Sequence, residues 1–203
     1  DVIVQDMKIR NQTDVSTYEL DILRHETFAD FIDSLNCLPD IILCAVGILG
    51  NQKEDEKNYS SSALVMKTNY EGPSLLLGAL ANLFEKRGSG SIIGISSVAG
   101  DRGRASNYIY GSAKSGFTAF LSGLRNKINT SGVNVLTVSP GFVYTSMTKN
   151  LDLPNLLTAQ PSEVASKIFN SKKKNSVMRP FPWNLIMLII RLIPEQLFIR
   201  IKL

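Results

Sequence analysis

Short β-rich apolar runs alternate with longer stretches of helical spacing along this chain. Residues 15–20 (VSTYEL) read as a short strand, and residues 29–35 as a helix with Phe28, Phe31, Ile32 and Leu35 on one side. Residues 40–46 (DIILCAV) form a continuous apolar run closed by Gly47, which predicts a strand buried on both faces. Residues 51–62 read as a polar loop. Residues 63–86 then read as one long helix presenting Leu64, Thr68, Leu75, Leu76, Leu80, Leu83 and Phe84 to the core. Pro73 within it marks a kink or a helix start. Residues 91–96 (SIIGIS) and 133–139 (VNVLTVS) are further buried strands, the second stopped by Pro140-Gly141, with a helix over 108–128 between them. A short helix over 161–169 takes Ser162 as its cap.

Strand and helix alternating at this spacing imply βαβ units and a parallel sheet covered on both faces, a doubly wound α/β fold. No internal repeat breaks the chain, so 1–203 is expected to be one domain. Ligands of such sheets bind outside the carboxyl ends of the strands, which directs attention to the segments just beyond Val46, Ser96 and Ser139.

Composition narrows the chemistry. Of 203 residues, 44% are hydrophobic and 20% charged, ordinary values for a globular domain. One histidine, His25, excludes a multi-histidine metal site, and two cysteines cannot build a disulfide framework. The net charge of +4 is unevenly placed: residues 161–203 hold eight basic residues against two acidic ones, and the first 160 residues are slightly acidic. A nucleic-acid binder would spread basic charge over its main surface, so none is expected as partner. No run of 18 apolar residues is present. The chain begins at Asp1, which predicts that upstream sequence has been removed.

The informative chemistry lies in Ser96-Ser97-Val98-Ala99-Gly100 and Tyr110-Gly111-Ser112-Ala113-Lys114. Tyr110 and Lys114 are four apart on a helix and share one face. An ammonium near a phenol stabilises the phenolate and lowers a pKa that is otherwise near 10. A serine hydroxyl beside them can hold a carbonyl oxygen, giving a site that protonates oxygen while hydride reaches its carbon. Tyr-x-x-x-Lys alone is also what a surface helix shows by chance. Ser97, directly after a strand and thirteen residues ahead of Tyr110, makes the combination far more specific.

On these residues the chain resembles the short-chain dehydrogenase/reductase family over nearly its whole length. The resemblance implies an NAD(P)-dependent oxidoreductase, reducing a carbonyl or oxidising an alcohol, with no metal. It implies Tyr110 as general acid/base, Lys114 as the group that lowers its pKa and holds the nicotinamide ribose, and Ser97 as the group that orients the carbonyl. Asn69 matches the family's helix asparagine that anchors a proton-relay water. Pro140, Gly141, Val143 and Thr145 match the motif that meets the nicotinamide carboxamide, Asp21 and Ile22 the pair that contacts adenine, and Gly47 the glycine near the cofactor. The family also implies a homo-oligomer paired through the helices over 63–86 and 108–128.

Two departures accompany the match. The family's Asn-Asn-Ala-Gly stands here as Cys44-Ala45-Val46-Gly47, and no Thr-Gly-x-x-x-Gly-x-Gly occurs. Gly88-Ser89-Gly90 precedes a strand instead of following one, so it reads as a helix-to-strand turn. The expectation is a Rossmann-like sheet lacking its first two strands and first helix, in a fragment inactive alone. The residue that separates NAD from NADP would lie upstream, so the cofactor is NAD or NADP. The hole would leave an exposed apolar edge on the strand over 40–46.

The tail over 180–203 admits two main readings, a third, nucleic-acid binding through Lys172, Lys173 and Lys174, being disfavoured because no aromatic platform interleaves the lysines. It packs on the core or a partner subunit as a substrate-pocket helix, or it lies in a membrane interface. In the second, Trp183, Phe181 and Phe198 reach headgroup level, and Lys172, Lys173, Lys174, Arg191, Arg200 and Lys202 face anionic lipid. With Ile48 and Leu49 after Gly47, the tail is similar to reductases of the polyprenylphosphoryl-ketopentose type, implying a lipid-linked sugar substrate and a cytoplasmic protein at the inner membrane face. A non-catalytic subunit docking on membrane or partner remains the alternative of another class.

Overall fold

The computed structural model describes residues 15–201. Its central sheet is parallel, in the order β1 (Ile41–Cys44), β2 (Gly90–Ile95), β3 (Val133–Val138) and β6 (Val177–Met178). Ile41 pairs with Ser91, Gly90 with Val133, and Thr137 with Val177. A second, two-stranded parallel sheet joins β4 (Phe142–Val143) to β5 (Thr158–Ala159).

The helices divide between the two faces as a doubly wound sheet requires. On one face Leu77, Ala81 and Phe84 of α4 (Gly72–Arg87) and Phe117, Leu121 and Leu124 of α5 (Tyr108–Lys127) pack on Cys44, Ile92, Val133 and Val135. On the other, Val164 and Ile168 of α6 (Pro161–Ser171) pack on Ile93, Leu136 and Val138. A Cβ on Gly94 would collide with the Leu121 side chain, so a glycine lets α5 seat close to β2.

Several expectations change. Residues 15–20 form no strand: no neighbouring strand takes up their backbone groups among the described residues. Leu20 and Ile22 instead pack on the Phe28–Leu76–Leu80 cluster, beside α1 (Phe28–Asp33). Among the described residues, β1 is covered on one face only. Ile42 and Cys44 meet the α4–α5 core, and Ile41 and Leu43 on the other face are exposed, because α6 covers β2 and β3 but not the edge.

Residues 51–62 are not a loop. Asn51 caps α2 (Gln52–Asp55) and Asn58 caps α3 (Tyr59–Met66) by accepting backbone N–H bonds, the role short amide side chains fill well. The long helix is interrupted by a wider π turn over Lys67–Glu71, and Pro73 stands directly after that turn, near the start of α4. Leu64, Leu75 and Leu83 are exposed. The apolar residues outnumber what one face covers, and Pro73, Leu76, Leu77, Leu80, Ala81 and Phe84 take the buried side. α6 is capped by Gln160, whose backbone N–H donates to Glu163 Oε2 at 3.2 Å, not by Ser162. Gly88, at φ +76°, ends α4 as the turn expected there.

Candidate active site

Ser96 ends the central strand and ties it to α5. Its buried Oγ donates to Lys114 O at 2.9 Å and lies 2.6 Å from Thr118 Oγ1. Ser97 comes next in extended conformation and caps the short turn Val98–Gly100, accepting from the Ala99 N–H at 3.1 Å. Two glycines let this turn touch the helix. A Cβ on Gly100 would come within 2.7 Å of the Lys114 backbone, and one on Gly111 within 2.9 Å of Ala99 O. Ser97 is thereby held against the first turns of α5, where Tyr110 and Lys114 stand.

Lys114 is 3% exposed and donates from Nζ to Ile95 O at 3.1 Å. Burial with one neutral partner pushes its pKa down to about 8. Tyr110 moves the other way: burial raises its pKa, and the neighbouring Ser97 hydroxyl offsets part of the rise. Lys114 is not among the groups that shift the phenol in this geometry. The ammonium is 5.9 Å from the Tyr110 ring centre and aimed at a strand carbonyl.

Asn69 comes from the π turn and is fully buried. Its Nδ2 donates to Ile48 O at 2.7 Å and Val65 O at 2.8 Å, while Oδ1 has no partner among the described residues. A Cβ on Gly47 would lie 2.6 Å from that oxygen and 3.1 Å from Lys114 Nζ. Gly47, Asn69 and Lys114 therefore converge on one point beyond the ends of β1 and β2.

The segment after β3 borders this group. Val98 N–H donates to Pro140 O at 3.0 Å, joining the two loops. Val143 is held by Thr148, whose Oγ1 donates to its carbonyl at 2.6 Å, and Thr145 is exposed beside it. A Cβ on Gly141 would collide with the Trp183 indole. A pocket of about 120 Å³ lies here, lined by Pro140, Gly141, Val143, Leu157, Phe181 and Trp183. Asp21 and Ile22 lie in the segment that packs on the start of α4. Asp21 accepts from the Leu23 N–H at 2.9 Å, and Ile22 O fills the space a Cβ on Gly72 would need.

A model of the short chain dehydrogenase family matches residues 5–155. The chain belongs to the short-chain dehydrogenase/reductase family. It is similar to an uncharacterized oxidoreductase of Mycobacterium tuberculosis, 36% identical over 153 residues, covering 74% of this chain and 61% of that protein. It is equally similar, 36% over 167 residues, to an uncharacterized oxidoreductase of Streptomyces coelicolor, covering 80% of this chain and 64% of that one. The chain thus spans under two thirds of the length of these relatives. A short chain dehydrogenase from Burkholderia cenocepacia, solved in complex with NADP, shares the fold with TM-score 0.78 at 18% identity, covering 92% of this chain and 80% of that one.

Around the family's Tyr-x-x-x-Lys pair, the structure adds residues that sequence reasoning passed over. Gln52 Oε1 accepts from Ile109 N–H at 3.1 Å, fixing the start of α5. Asp101 takes both Nε and Nη2 of Arg179 at 2.8 Å, and Arg102 donates to Ile190 O at 2.9 Å and Glu195 Oε2 at 2.7 Å. Two opposite charges immediately after a buried serine turn were the available signal. The partners, 78 to 93 residues away, were not.

The tail adopts the packed reading for its indole. Trp183 is 7% exposed, donates to Leu157 O at 3.0 Å and packs edge-on to Phe142. Phe198 is buried beneath the Arg102 guanidinium, 4.0 Å from its ring centre. Neither aromatic stands at headgroup level as the interfacial reading expected. Gly141 leaves an indole-sized space, and Trp183 gains more by filling it than by facing solvent. Lys202, assigned to the lipid-facing charges, lies outside the described residues.

Proposed function

We propose that this chain carries the catalytic part of an NAD(P)-dependent oxidoreductase that reduces a carbonyl or oxidises an alcohol. The observation that carries the reading is the meeting of Gly47, Asn69 and Lys114 beside the Ser97–Tyr110 pair. The residues present suit the nicotinamide half of a dinucleotide. Asn69 Oδ1 and Ser139 Oγ are buried polar atoms without partners among the described residues, and Gly47 keeps open a space that no side chain could share. Lys114, Gly141, Val143 and Thr145 would hold that half. A glycine-rich diphosphate turn does not occur in the sequence.

When bound, the nicotinamide supplies or accepts a hydride at the substrate carbon. Tyr110 gives its phenolic proton to the carbonyl oxygen in reduction and recovers it in oxidation. Ser97 donates a hydrogen bond to the same oxygen and steadies charge there. Lys114 places positive charge behind the phenol once its ammonium turns from Ile95 O, and Asn69 offers Oδ1 to a relay water.

The apolar walls at Phe142, Leu157, Phe181 and Trp183 favour a substrate with a hydrocarbon part, and a lipid-linked sugar is the finer reading. Leu75 and Leu83, exposed on α4, support pairing of two copies. In the full-length protein, Tyr110→Phe is expected to abolish turnover while NAD(P)H still binds by fluorescence titration; undiminished turnover would reject the assignment.

A further inference from the structure

The helix α7 (Trp183–Leu192) is apolar on nearly every side. Its inner residues Trp183 and Met187 are buried with Val98, and Ile186 and Ile190 close the same cluster. Its outer residues Leu185, Leu188, Ile189 and Leu192 are 53% to 74% exposed and share one face at helical spacing. Leu197 and Ile199, in and just after α8 (Glu195–Phe198), are exposed too. A helix apolar all round belongs in an apolar environment, and this stripe has no cover among the described residues.

Charge says what the cover is. Glu195 is committed to Arg102 at 2.7 Å, so it adds no net negative charge to the surroundings. Lys172, Lys173, Lys174, Arg191 and Arg200 form no ion pair among the described residues. Arg191 and Asn184 lie on one flank of α7, and Lys174 shares a shallow hollow with Asn184 at its start. A second copy laid face to face would bring these cations against their own kind. An anionic surface with an apolar interior matches both features at once.

We infer that the outer face of α7 seats the protein on a bilayer interface rich in anionic phospholipid, with Leu185, Leu188, Ile189 and Leu192 entering the acyl boundary. The helix is held rigidly for this. Asp101 grips Arg179 before it, and Arg102 holds the carbonyl of Ile190 and Phe198 beyond it. Both grips belong to the turn immediately after Ser97. Exposed Phe181, in the pocket wall, faces solvent close to the start of the helix. This docking is independent of the reductase chemistry, since it needs no turnover, and no helix among the described residues is long and apolar enough to cross a membrane.

Flotation of the purified chain with vesicles tests it. Binding is expected to vesicles of phosphatidylcholine mixed with phosphatidylglycerol, weakened by salt, and not to phosphatidylcholine alone. Leu188→Asp with Ile189→Asp is expected to weaken binding by about tenfold or more. Arg191→Gln and Arg200→Gln are expected to weaken it by about fivefold each. Circular dichroism and the melting temperature should not change, because all four side chains are exposed. Failure to float with anionic vesicles overturns the inference, as does equal flotation of the aspartate variant. So does a dimer, seen by light scattering, that the aspartate variant dissolves while vesicle binding stays absent.

Discussion

Gly47 faces Asn69 so closely that a Cβ added to the glycine would stand 2.6 Å from the amide oxygen. Asn69 has no room to retreat. Both hydrogens of its Nδ2 are held, by Ile48 O at 2.7 Å and Val65 O at 2.8 Å, and the side chain is fully buried. Gly47→Ala is therefore expected to destabilise the fold by about 1–3 kcal/mol, the usual effect of overpacking a rigid site. Thermal denaturation should show a lowered midpoint. An unchanged midpoint would mean the amide rotates freely after all.

Lys114 makes stability depend on pH in a defined window. Its pKa of about 8 in the fold lies below the ordinary 10.5. Between those values the unfolded chain holds a proton that the fold has shed, so stability rises with pH across that range. Below it both states are charged, and the cost of burying the ammonium is present in full. Lys114→Met removes that cost and is expected to raise the melting midpoint at neutral pH. Its advantage over the parent should shrink steadily as pH approaches 10.5. Melts of both proteins across the window check the trend, and a constant difference contradicts it.

Tyr110 is pushed up by burial and drawn partly back by Ser97. Ser97→Ala removes the hydroxyl that opposes the rise and leaves the burial, so the phenol is expected to titrate at still higher pH. The measurement is tyrosinate absorbance against pH, taken as the difference between each protein and its Tyr110→Phe counterpart. A downward movement in the alanine variant would show that the serine does not stabilise the phenolate.

Most of the fold was legible because its strands announce themselves. The β-rich runs at 91–96 and 133–139 became β2 and β3 within a residue at each end, since a strand buried between helices carries apolar residues on both faces. The strand read at 15–20 failed because β-rich composition proposes a strand but only a neighbour makes one, and none pairs with it among the described residues. The helices over 51–62 were hidden behind polar composition, although Asn51 and Asn58 are good caps whose signal is local. Within the site, the spacing of Tyr110 and Lys114 fixed their common face, and a strand end placed Ser97. The direction of the Lys114 ammonium was not legible, because Ile95 O becomes its partner only once β2 and α5 are packed. The clamp on the tail was illegible for the same reason, being made wholly of long-range pairs.

Arg102 joins that clamp to the serine turn. Its guanidinium donates to Ile190 O at 2.9 Å and to Glu195 Oε2 at 2.7 Å, bonds Ile193 O, and covers the Phe198 ring. Arg102→Ala leaves two carbonyls at the end of α7 without a donor, and a loss of about 2–4 kcal/mol is expected. Hydrogen exchange should quicken first over α7 and α8, with β2 and β3 protected until global unfolding. Arg102→Lys is not expected to rescue it, because a single ammonium cannot reproduce the planar fork.

Trp183 is the sole tryptophan of the chain, so its fluorescence reports on one place: the contact with Gly141. A Cβ at position 141 would overlap the indole, which cannot yield inward, because Phe142 and Leu157 hold it and its Nε1 donates to Leu157 O. Gly141→Ala must therefore push the ring outward toward water. The expected result is a red-shifted emission maximum and faster quenching by iodide, with far-ultraviolet circular dichroism unchanged. The same displacement would open the wall of the pocket between β3 and α7. A buried, unshifted emission in the alanine variant would mean that the backbone at 141, and not the indole, gives way.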